Sequence, residues 1–251
     1  MLCVTYHPQG FISDHVKYFV ASFKRAGFSV ILVKVVDDMD HPLADSSIPD
    51  ADGAMVRKNS GYDFGAWAHG LHAFPEVFQG KELWIVNDSM FGPASPALFD
   101  RLLENVEKSD ADLVSLTESH QYTLHYQSYF LVFRNLSQRA NEVQKYWSNV
   151  RNIKDKRDVI FEYELDLMHH FSELGFRCCA LFPVKGIALD NNPTFYGWRQ
   201  LLDVGFPFLK VPLLRPEVTA VDNTTCREVF GKLGYDSKLI DEHFKAMSRK
   251  F

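Results

Sequence analysis

The sequence predicts an α/β protein in which a sheet of mostly parallel strands is flanked by helices. Short runs of aliphatic and aromatic residues alternate with longer stretches in which apolar residues recur at helical spacing. The first strand candidates end in turns that contain Gly, Pro, Asn or Asp. Such alternation is typical of α/β layering, and a chain of 251 residues is long enough to bury a core of this kind.

In the first half of the chain, the helix after the first strand shows the pattern most clearly. Ser13 is a suitable N-cap, apolar residues recur at helical spacing from Val16 to Phe23, and Gly27 ends the helix. A second, short helix is predicted to begin at Asp63. The remaining elements of this half are a loop at 41–52, a helix at 96–108, and strands at 2–6, 28–36, 54–56, 83–86 and 112–117.

The second half begins with a strongly apolar strand at 126–134, which a helix at 136–150 follows. Another helix is predicted at 158–174 because Gly175 ends its apolar periodicity. A strand is predicted at 176–184. After residue 190, turn signals surround the apolar segment GFPFLKVPLL.

Composition and charge exclude several classes of protein. A formal net charge of −5 argues against a general nucleic-acid binder, which carries a basic face. Four cysteines without metal-ligand spacing, two of them adjacent, indicate a reducing compartment. No apolar run approaches the ~18 residues of a membrane span. We therefore expect a cytoplasmic protein, free or peripheral at the inner face of the membrane, with no transmembrane segment and no nucleic-acid partner.

The segment RKNSGYDFGAW, residues 57–67, is the first candidate for ligand binding. Asn59 and Gly61 permit sharp turns, and a helix that begins near Asp63 would direct free N–H groups at a phosphate. The segment is neither a Walker loop nor a dinucleotide fingerprint. The alternative is an ordinary strand–turn–helix connection that Asp63 caps.

The second candidate is Asn87-Asp88-Ser89, which follows the apolar strand 83–86. Ligands of open α/β sheets bind at the carboxyl ends of such strands. Asp88 supplies the only carboxylate, so it is a weak candidate ligand for Mg²⁺ or Mn²⁺, which prefer oxygen ligands. The alternative is an Asx-type turn that stabilises the end of the strand.

Glu164 is the third candidate. Helical spacing places it on the same face as Ile160, Leu167, Phe171 and Leu174. A carboxylate without a partner is costly on an apolar face, so a raised pKa or a partner is expected, and either suits a general base. The alternative is a structural residue that complements the helix dipole or pairs with an arginine.

Polar residues inside apolar segments form the fourth group of candidates. Gln127 and Ser128 interrupt the strand 126–134, and buried polar groups need partners, either a ligand hydroxyl or a neighbouring backbone group. Lys210 lies among prolines and aliphatic residues, where it either extends to solvent or meets an anion. No GxSxG elbow is present, so the sequence does not support a hydrolase triad.

Taken together and in order, these blocks resemble the rhamnan synthesis protein F family of bacterial glycosyltransferases. The segments that carry the resemblance are RKNSGYDFGAW, LWIVNDSMFGP, LHYQSYFLVFR, VIFEYELDL and GFPFLKVPLLR, which span residues 57–215. The family is associated with rhamnose-containing polysaccharides and O-antigens. Its pattern is similar to a remote version of the GT-A glycosyltransferases, which implies a Rossmann-type sheet here.

The resemblance also implies roles for the candidate residues. Asn87-Asp88-Ser89 corresponds to the DxD motif of GT-A enzymes, with both outer aspartates replaced, and Glu164 corresponds to the catalytic base of inverting members. Donor-binding roles are implied for His7, Arg57, Asn59, Tyr62, Asp63, Asn87, Asp88 and Ser89. Acceptor or sugar-binding roles are implied for His125, Gln127, Ser128 and Lys210.

These implications describe a single glycosyltransferase domain, 1–251, with a nucleotide-sugar half at about 1–118 and an acceptor half at about 119–251. The expected donor is dTDP-rhamnose and the expected acceptor is a polysaccharide or lipid-linked glycan, with other domains of a polysaccharide-assembly enzyme as further partners. No metal is expected to be required, or a weakly bound Mg²⁺ or Mn²⁺ at Asp88. The alternative is a catalytically inactive glycan-binding module. A nucleotidyltransferase or other phosphate-handling enzyme would show a second strand-end carboxylate or a basic signature loop, and neither is evident in the sequence.

Overall fold

The computed structural model describes residues 1–39, 50–183, 192–215 and 221–248. Most of the loop predicted at 41–52 lies outside the described residues. The α/β class is confirmed, because a seven-stranded sheet is covered by helices on both faces.

The central sheet has the strand order β10-β6-β9-β4-β1-β2-β3. Its strands, in chain order, are β1 (Leu2–Tyr6), β2 (Ile31–Val36), β3 (Gly53–Lys58), β4 (Leu83–Asn87), β6 (Leu113–Ser115), β9 (Phe130–Phe133) and β10 (Cys178–Ala180). Only β9 runs antiparallel to its neighbours β4 and β6, so the prediction of a mostly parallel sheet is confirmed. Two short antiparallel pairs lie outside this sheet: β5 (Met90–Phe91) with β11 (Leu209–Lys210), and β7 (Glu118–Ser119) with β8 (His125–Tyr126).

Several predicted strands are shorter in the structure than in the sequence pattern. The strand predicted at 112–117 is β6, Leu113–Ser115, and the strand predicted at 176–184, whose last residue lies outside the described residues, is β10, Cys178–Ala180. The strand predicted at 28–36 begins at Ile31, because the Phe28 amide donates to the Phe23 carbonyl and closes the preceding helix. The strand predicted at 126–134 is divided into β8 and β9. The Ser115 hydroxyl donates to the carbonyls of Thr117 and Gln127, which holds the chain between the two strands in an irregular path.

The helices are α1 (Asp14–Arg25), α2 (Tyr62–Ala73), α3 (Pro96–Lys108), α4 (Leu136–Ser148), α5 (Lys156–Val159), α6 (Leu165–Glu173), α7 (Pro193–Tyr196), α8 (Trp198–Asp203), α9 (Asn223–Lys232) and α10 (Ser237–Ser248). Short 3₁₀ helices cover Pro75–Gln79 and Val211–Leu214, and a π-helical turn covers Ile160–Glu164. The helix predicted at 158–174 is therefore α5, the π turn and α6 in succession. In the described part of the chain, no helix has both the length and the apolarity to cross a membrane.

The two faces of the sheet are buried in separate apolar clusters. Cys3, Leu32 and Val86 face α1 and α3, whereas Leu2 and Val33 belong to the cluster that contains residues of α2, α4 and α6. Alternate residues of one strand enter opposite clusters, as the two-residue period of a strand requires. A third cluster joins β5 and β11 to α9 and α10, and this cluster fixes the C-terminal segments beside the sheet.

Strand order reverses next to β1. The chain places β2 and β3 on one side of β1 and then returns to place β4 on the other side. In open α/β sheets, the crevice outside the carboxyl ends of the strands at such a reversal is the usual place for a ligand. The carboxyl ends of β1 and β4 are therefore the first place to look for a functional site.

Candidate active site

A pocket of about 280 Å³ lies at the carboxyl end of β4 and the amino end of the antiparallel β9. Most of the residues that the sequence selected line this pocket: Tyr62, Asp63, Asn87, Ser89, Gln127, Ser128, Glu164 and Lys210. Segments separated by more than a hundred residues thus meet at one edge of the sheet. The pocket combines two carboxylates, two lysines, several side-chain amides and hydroxyls, and aromatic rings.

A larger cavity of about 570 Å³ lies at the opposite edge of the sheet, beside Met1, Ile31, Gly53 and Leu83. These residues stand at the amino ends of β1 to β4. Of its three acidic residues, Asp52 pairs with Lys24 and Glu82 pairs with Arg134. The smaller pocket is the stronger candidate, because convergent polar groups rather than volume distinguish a functional site.

Asn87, the last residue of β4, joins the strand end to helix α2. Its side-chain amide donates to Asp63 Oδ2 at 2.9 Å, and its carbonyl oxygen accepts from both the backbone amide and the hydroxyl of Ser89. Burial raises the pKa of Asp63, a shift that the hydrogen bond from Asn87 opposes. The Asn87–Ser89 turn is therefore an Asx-type turn and also a wall of the pocket.

The π turn brings Glu164 into the pocket. The Leu165 amide bonds to the Ile160 carbonyl, five residues back, so the helix is wider here by one residue per turn. Ile160 and Glu164 consequently line the pocket, whereas Leu167 and Phe171 of α6 are buried in the core. Leu174 is 42% exposed. The predicted five-residue apolar face is wrong in this respect, since the π turn divides it.

The Glu164 carboxylate has one partner on β8, His125, and one in the segment between β8 and β9, Ser128. The hydroxyl of Ser128 donates to Oε2, and His125 Nε2 lies 3.7 Å from Oε1. The glutamate side chain is 24% exposed, and His125 itself is buried. The expectation that Glu164 has a partner is thus met by a hydroxyl and an imidazole. His125 lies outside the pocket lining, behind the Glu164 carboxylate.

Gln127 and Lys210 reach the pocket in different ways. The amide of Gln127 is held on both sides, since its oxygen accepts from the Thr117 hydroxyl and its nitrogen donates to Asn192 Oδ1. Lys210 lies on β11, and the pairing of β11 with β5 places it opposite Met90. Its ammonium lies 4.5 Å from the centre of the Tyr129 ring. Burial lowers the pKa of Lys210 to about 8.

Two of the predicted donor-binding residues are engaged within the fold at the end of β1. His7 Nδ1 accepts from the backbone amides of Gln9 and Phe11, so the imidazole stabilises its own turn. Asp88 Oδ2 accepts from the hydroxyl of Thr5 and the amide of Tyr6. Both residues lie at the strand reversal, but neither lines the pocket.

Arg57 and Asn59, at the end of β3, also lie outside the pocket lining. Arg57 Nη2 donates to the carbonyl of Ser60 and to Asn152 Oδ1, which braces the turn before α2. Asn59 is exposed, and its Nδ2 donates to Asp37 Oδ1 at 3.4 Å. The hydroxyl of Tyr6 donates to the same Asp37 carboxylate. Arg57 thus supports the loop through Nη2, whereas its buried Nε and Nη1 have no hydrogen-bond partner among the described residues. Asn59 lies at the exposed ends of β1 to β3, and donor binding by these two residues stays a prediction.

The carboxylates at and beside this pocket are hydrogen-bonded within the fold. Among the described residues, no three histidine, cysteine or carboxylate side chains converge as metal ligands would. The carboxylate of Asp88 faces Thr5 and Tyr6 of β1, and that of Asp63 accepts from Asn87. Asp88 is thus hydrogen-bonded to β1, and its role as a weakly binding metal ligand stays a prediction.

Sequence reasoning missed several pocket residues, chiefly Tyr129, Lys156 and Asn192. Lys156 lies at the start of α5, and its position in the pocket lining depends on how α5 packs beside α2. Asn192 caps α7 by accepting from the Thr194 amide, so its local pattern indicates a cap and not a site. Tyr129 resembles any aromatic residue of a buried strand.

Comparison with known proteins agrees with the family resemblance of the sequence segments. A family model described as rhamnan synthesis protein F matches residues 34–250. The virulence protein VirA of Vibrio anguillarum is 31% identical over 199 residues, which cover 66% of this chain and 63% of VirA. The uncharacterized protein y4gN of Sinorhizobium fredii strain NBRC 101917 / NGR234 is 29% identical over 155 residues, which cover 59% of this chain and 40% of y4gN. The matched regions thus span less than two thirds of the length of these curated relatives.

Proposed function

This chain belongs to the rhamnan synthesis protein F family, and from that membership and the geometry of the pocket we propose that it is a glycosyltransferase. Its donor is a nucleotide-activated sugar, dTDP-rhamnose, and its acceptor is a hydroxyl of a polysaccharide or lipid-linked glycan. The family supports a role in polysaccharide synthesis. The donor and acceptor are inferred from the family's association with rhamnan synthesis, and the mechanism is argued from the pocket.

The observation that carries the proposal is the position of Glu164. Its carboxylate lines a pocket at the carboxyl end of β4 and is held by Ser128 and His125, neither of which neutralises it with a fixed positive charge. A held carboxylate beside a cavity is suited to accept a proton from a bound hydroxyl. Structural glutamates are more often paired with an arginine or lysine, and Glu164 has no such ion pair among the described residues.

The reaction is a single displacement with inversion. The acceptor oxygen attacks the anomeric carbon while its proton passes to Glu164, and the bond between that carbon and the diphosphate oxygen breaks. The electron pair leaves with the nucleoside diphosphate, so no covalent enzyme intermediate forms. Asp63 and the Asn87–Ser89 turn contact the donor sugar, and the exposed polar groups of Tyr6, Asp37 and Asn59 flank the nucleoside.

Thermal stabilisation by a panel of nucleotide sugars tests this proposal. At one hundred times Kd a ligand stabilises the folded state by about 2.7 kcal/mol, which raises the Tm of a chain of this size by roughly 5–10 °C. We expect dTDP-rhamnose to give the largest shift and slow release of dTDP. A panel in which no nucleotide sugar shifts the Tm, while an oligosaccharide does, would favour the glycan-binding module instead.

A further inference from the structure

We propose that Lys210 and Lys156 form the anion-binding part of the pocket and bind the diphosphate of a nucleoside diphosphate. The inference rests on the proposed function, because it names the charged groups that receive the donor and its leaving group. It changes the role that the resemblance implied for Lys210, contact with the acceptor or sugar, and develops the contact with an anion that its apolar surroundings had left open. Lys156 had no role in the sequence reasoning.

The first support is the position of Lys210 in the fold. β11 pairs with β5 directly after the Asn87–Ser89 turn, and the Val211 amide donates to the Ser89 carbonyl at 2.8 Å. A segment from the C-terminal part of the chain thereby places an ammonium group next to the end of β4. Lys156 enters from the other side, at the start of α5, as an exposed residue that lines the same pocket.

The second support is that the carboxylates of the pocket are already bound by neutral donors. Asp63 accepts from Asn87, and Glu164 accepts from Ser128. Within the described ranges, neither Lys156 nor Lys210 makes a hydrogen bond or an ion pair with a carboxylate within 4 Å. The contact of Lys210 with the Tyr129 ring leaves its N–H donors free. The pocket therefore holds two ammonium groups whose hydrogen-bonding capacity is unused.

A half-buried ammonium is costly in the absence of an anion, and burial accordingly lowers the pKa of Lys210. A diphosphate supplies several oxygen acceptors for both ammonium groups, in addition to the longer-range attraction that the carboxylates of Glu164 and Asp63 already exert on Lys210. During the displacement, negative charge develops on the leaving diphosphate oxygen, and fixed cations there stabilise the transition state. The flexible stem of lysine allows its ammonium to follow that oxygen as it departs.

Calorimetric titration of dTDP, UDP and GDP into wild type and three variants tests the inference. Lys210→Met removes the charge and keeps most of the stem, and Lys156→Met does the same on the exposed side. Arg157→Met is the matched control, because Arg157 neighbours Lys156 in the chain and lies outside the pocket lining. We expect about 10- to 100-fold weaker binding of the preferred nucleotide for Lys210→Met, a smaller loss for Lys156→Met and less than about 2-fold for the control.

Three outcomes separate this inference from the proposed function. Wild type that binds a nucleotide, with both lysine variants unchanged, overturns the inference and leaves the glycosyltransferase in place. Wild type that binds none of the three nucleotides overturns both. If Lys210→Met fails to fold, Lys210→Arg and Lys156→Met carry the test. Wild-type nucleotide affinity in Lys210→Arg together with weakened affinity in Lys156→Met supports the inference. Wild-type affinity in both variants overturns it.

Discussion

Glu164→Gln changes the proposed proton acceptor with the smallest possible change in shape. The glutamine oxygen can still accept from the Ser128 hydroxyl, so the side chain should keep its place beside the pocket. His125 Nε2, 3.7 Å from the carboxylate, loses a charged neighbour but no close hydrogen bond. The variant therefore separates loss of a base from loss of structure.

The magnitudes follow from these contacts. A general base contributes roughly 10²- to 10⁴-fold, so transfer should fall by about that factor, or about 2.7–5.4 kcal/mol of transition-state stabilisation. Exchanging a charged for a neutral acceptor of the Ser128 hydroxyl costs about 1 kcal/mol of folding stability, and the 24% exposure of Glu164 keeps this loss small. The Tm should therefore fall by about 2–4 °C.

The assay measures nucleotide release from the sugar nucleotide, per folded molecule, together with the Tm of the same preparation. Glu162→Gln is the control, since Glu162 lies on the same π turn but pairs with Arg151 at the surface. It should keep the wild-type rate. A Glu164→Gln variant that turns over the donor at the wild-type rate would refute the reasoning, and a much lower Tm with normal turnover would make Glu164 a structural residue.

Three further predictions follow from the fold. Burial raises the pKa of Asp88 to about 6, so the folded state binds the Asp88 proton more tightly than the unfolded state. The stability that this proton binding contributes is therefore lost as the pH rises from about 4 through 6. Asp88→Asn should thus match wild type near pH 4 and exceed it at pH 7 by up to about 3 kcal/mol in urea unfolding, and a pH-independent difference would contradict this. Gly65→Ala should lose about 1–3 kcal/mol, because its Cβ would lie 2.4 Å from Asn152 Oδ1, whereas Gly231→Ala, with no atom within 4 Å of its Cβ, should gain about 0.5–1 kcal/mol by thermal unfolding. With a pKa of about 8 for Lys210, the protonated form binds the diphosphate, so calorimetric dTDP affinity should weaken between pH 7 and pH 9.5 in wild type but not in Lys210→Met.

The elements that the sequence predicted correctly are those whose information is local. The helix α3 was predicted at its observed bounds, because Ser95 and Pro96 mark its start and its apolar periodicity continues to the last turn. The strand β4 and its polar end were likewise predictable from the local order of apolar and polar residues. Glu164 was selected by a helical face that the π turn interrupts, so the residue lines the pocket for a reason that the spacing argument did not contain.

The parts that could not be predicted depend on contacts between distant segments. His7 and Arg57 have polar side chains at strand ends, which is the pattern of a ligand-binding residue, but each is bound within its own turn or by a neighbouring loop. Whether such a side chain faces a ligand or the backbone is decided by loop conformation, which residue type does not determine. Lys156 and Asn192 enter the pocket through helix placement, and no local spacing carries that information.

The division of the chain into a donor half and an acceptor half is the expectation that the pocket affects most. Asn87 and Asp63 come from the first half, whereas Glu164, Lys156 and Lys210 come from the second. If the two lysines receive the diphosphate, the second half supplies both the base and the cations, and the first half supplies the strand end against which the donor lies. Since β9 and β10 of the second half also belong to the central sheet, donor binding and proton transfer depend on one continuous core.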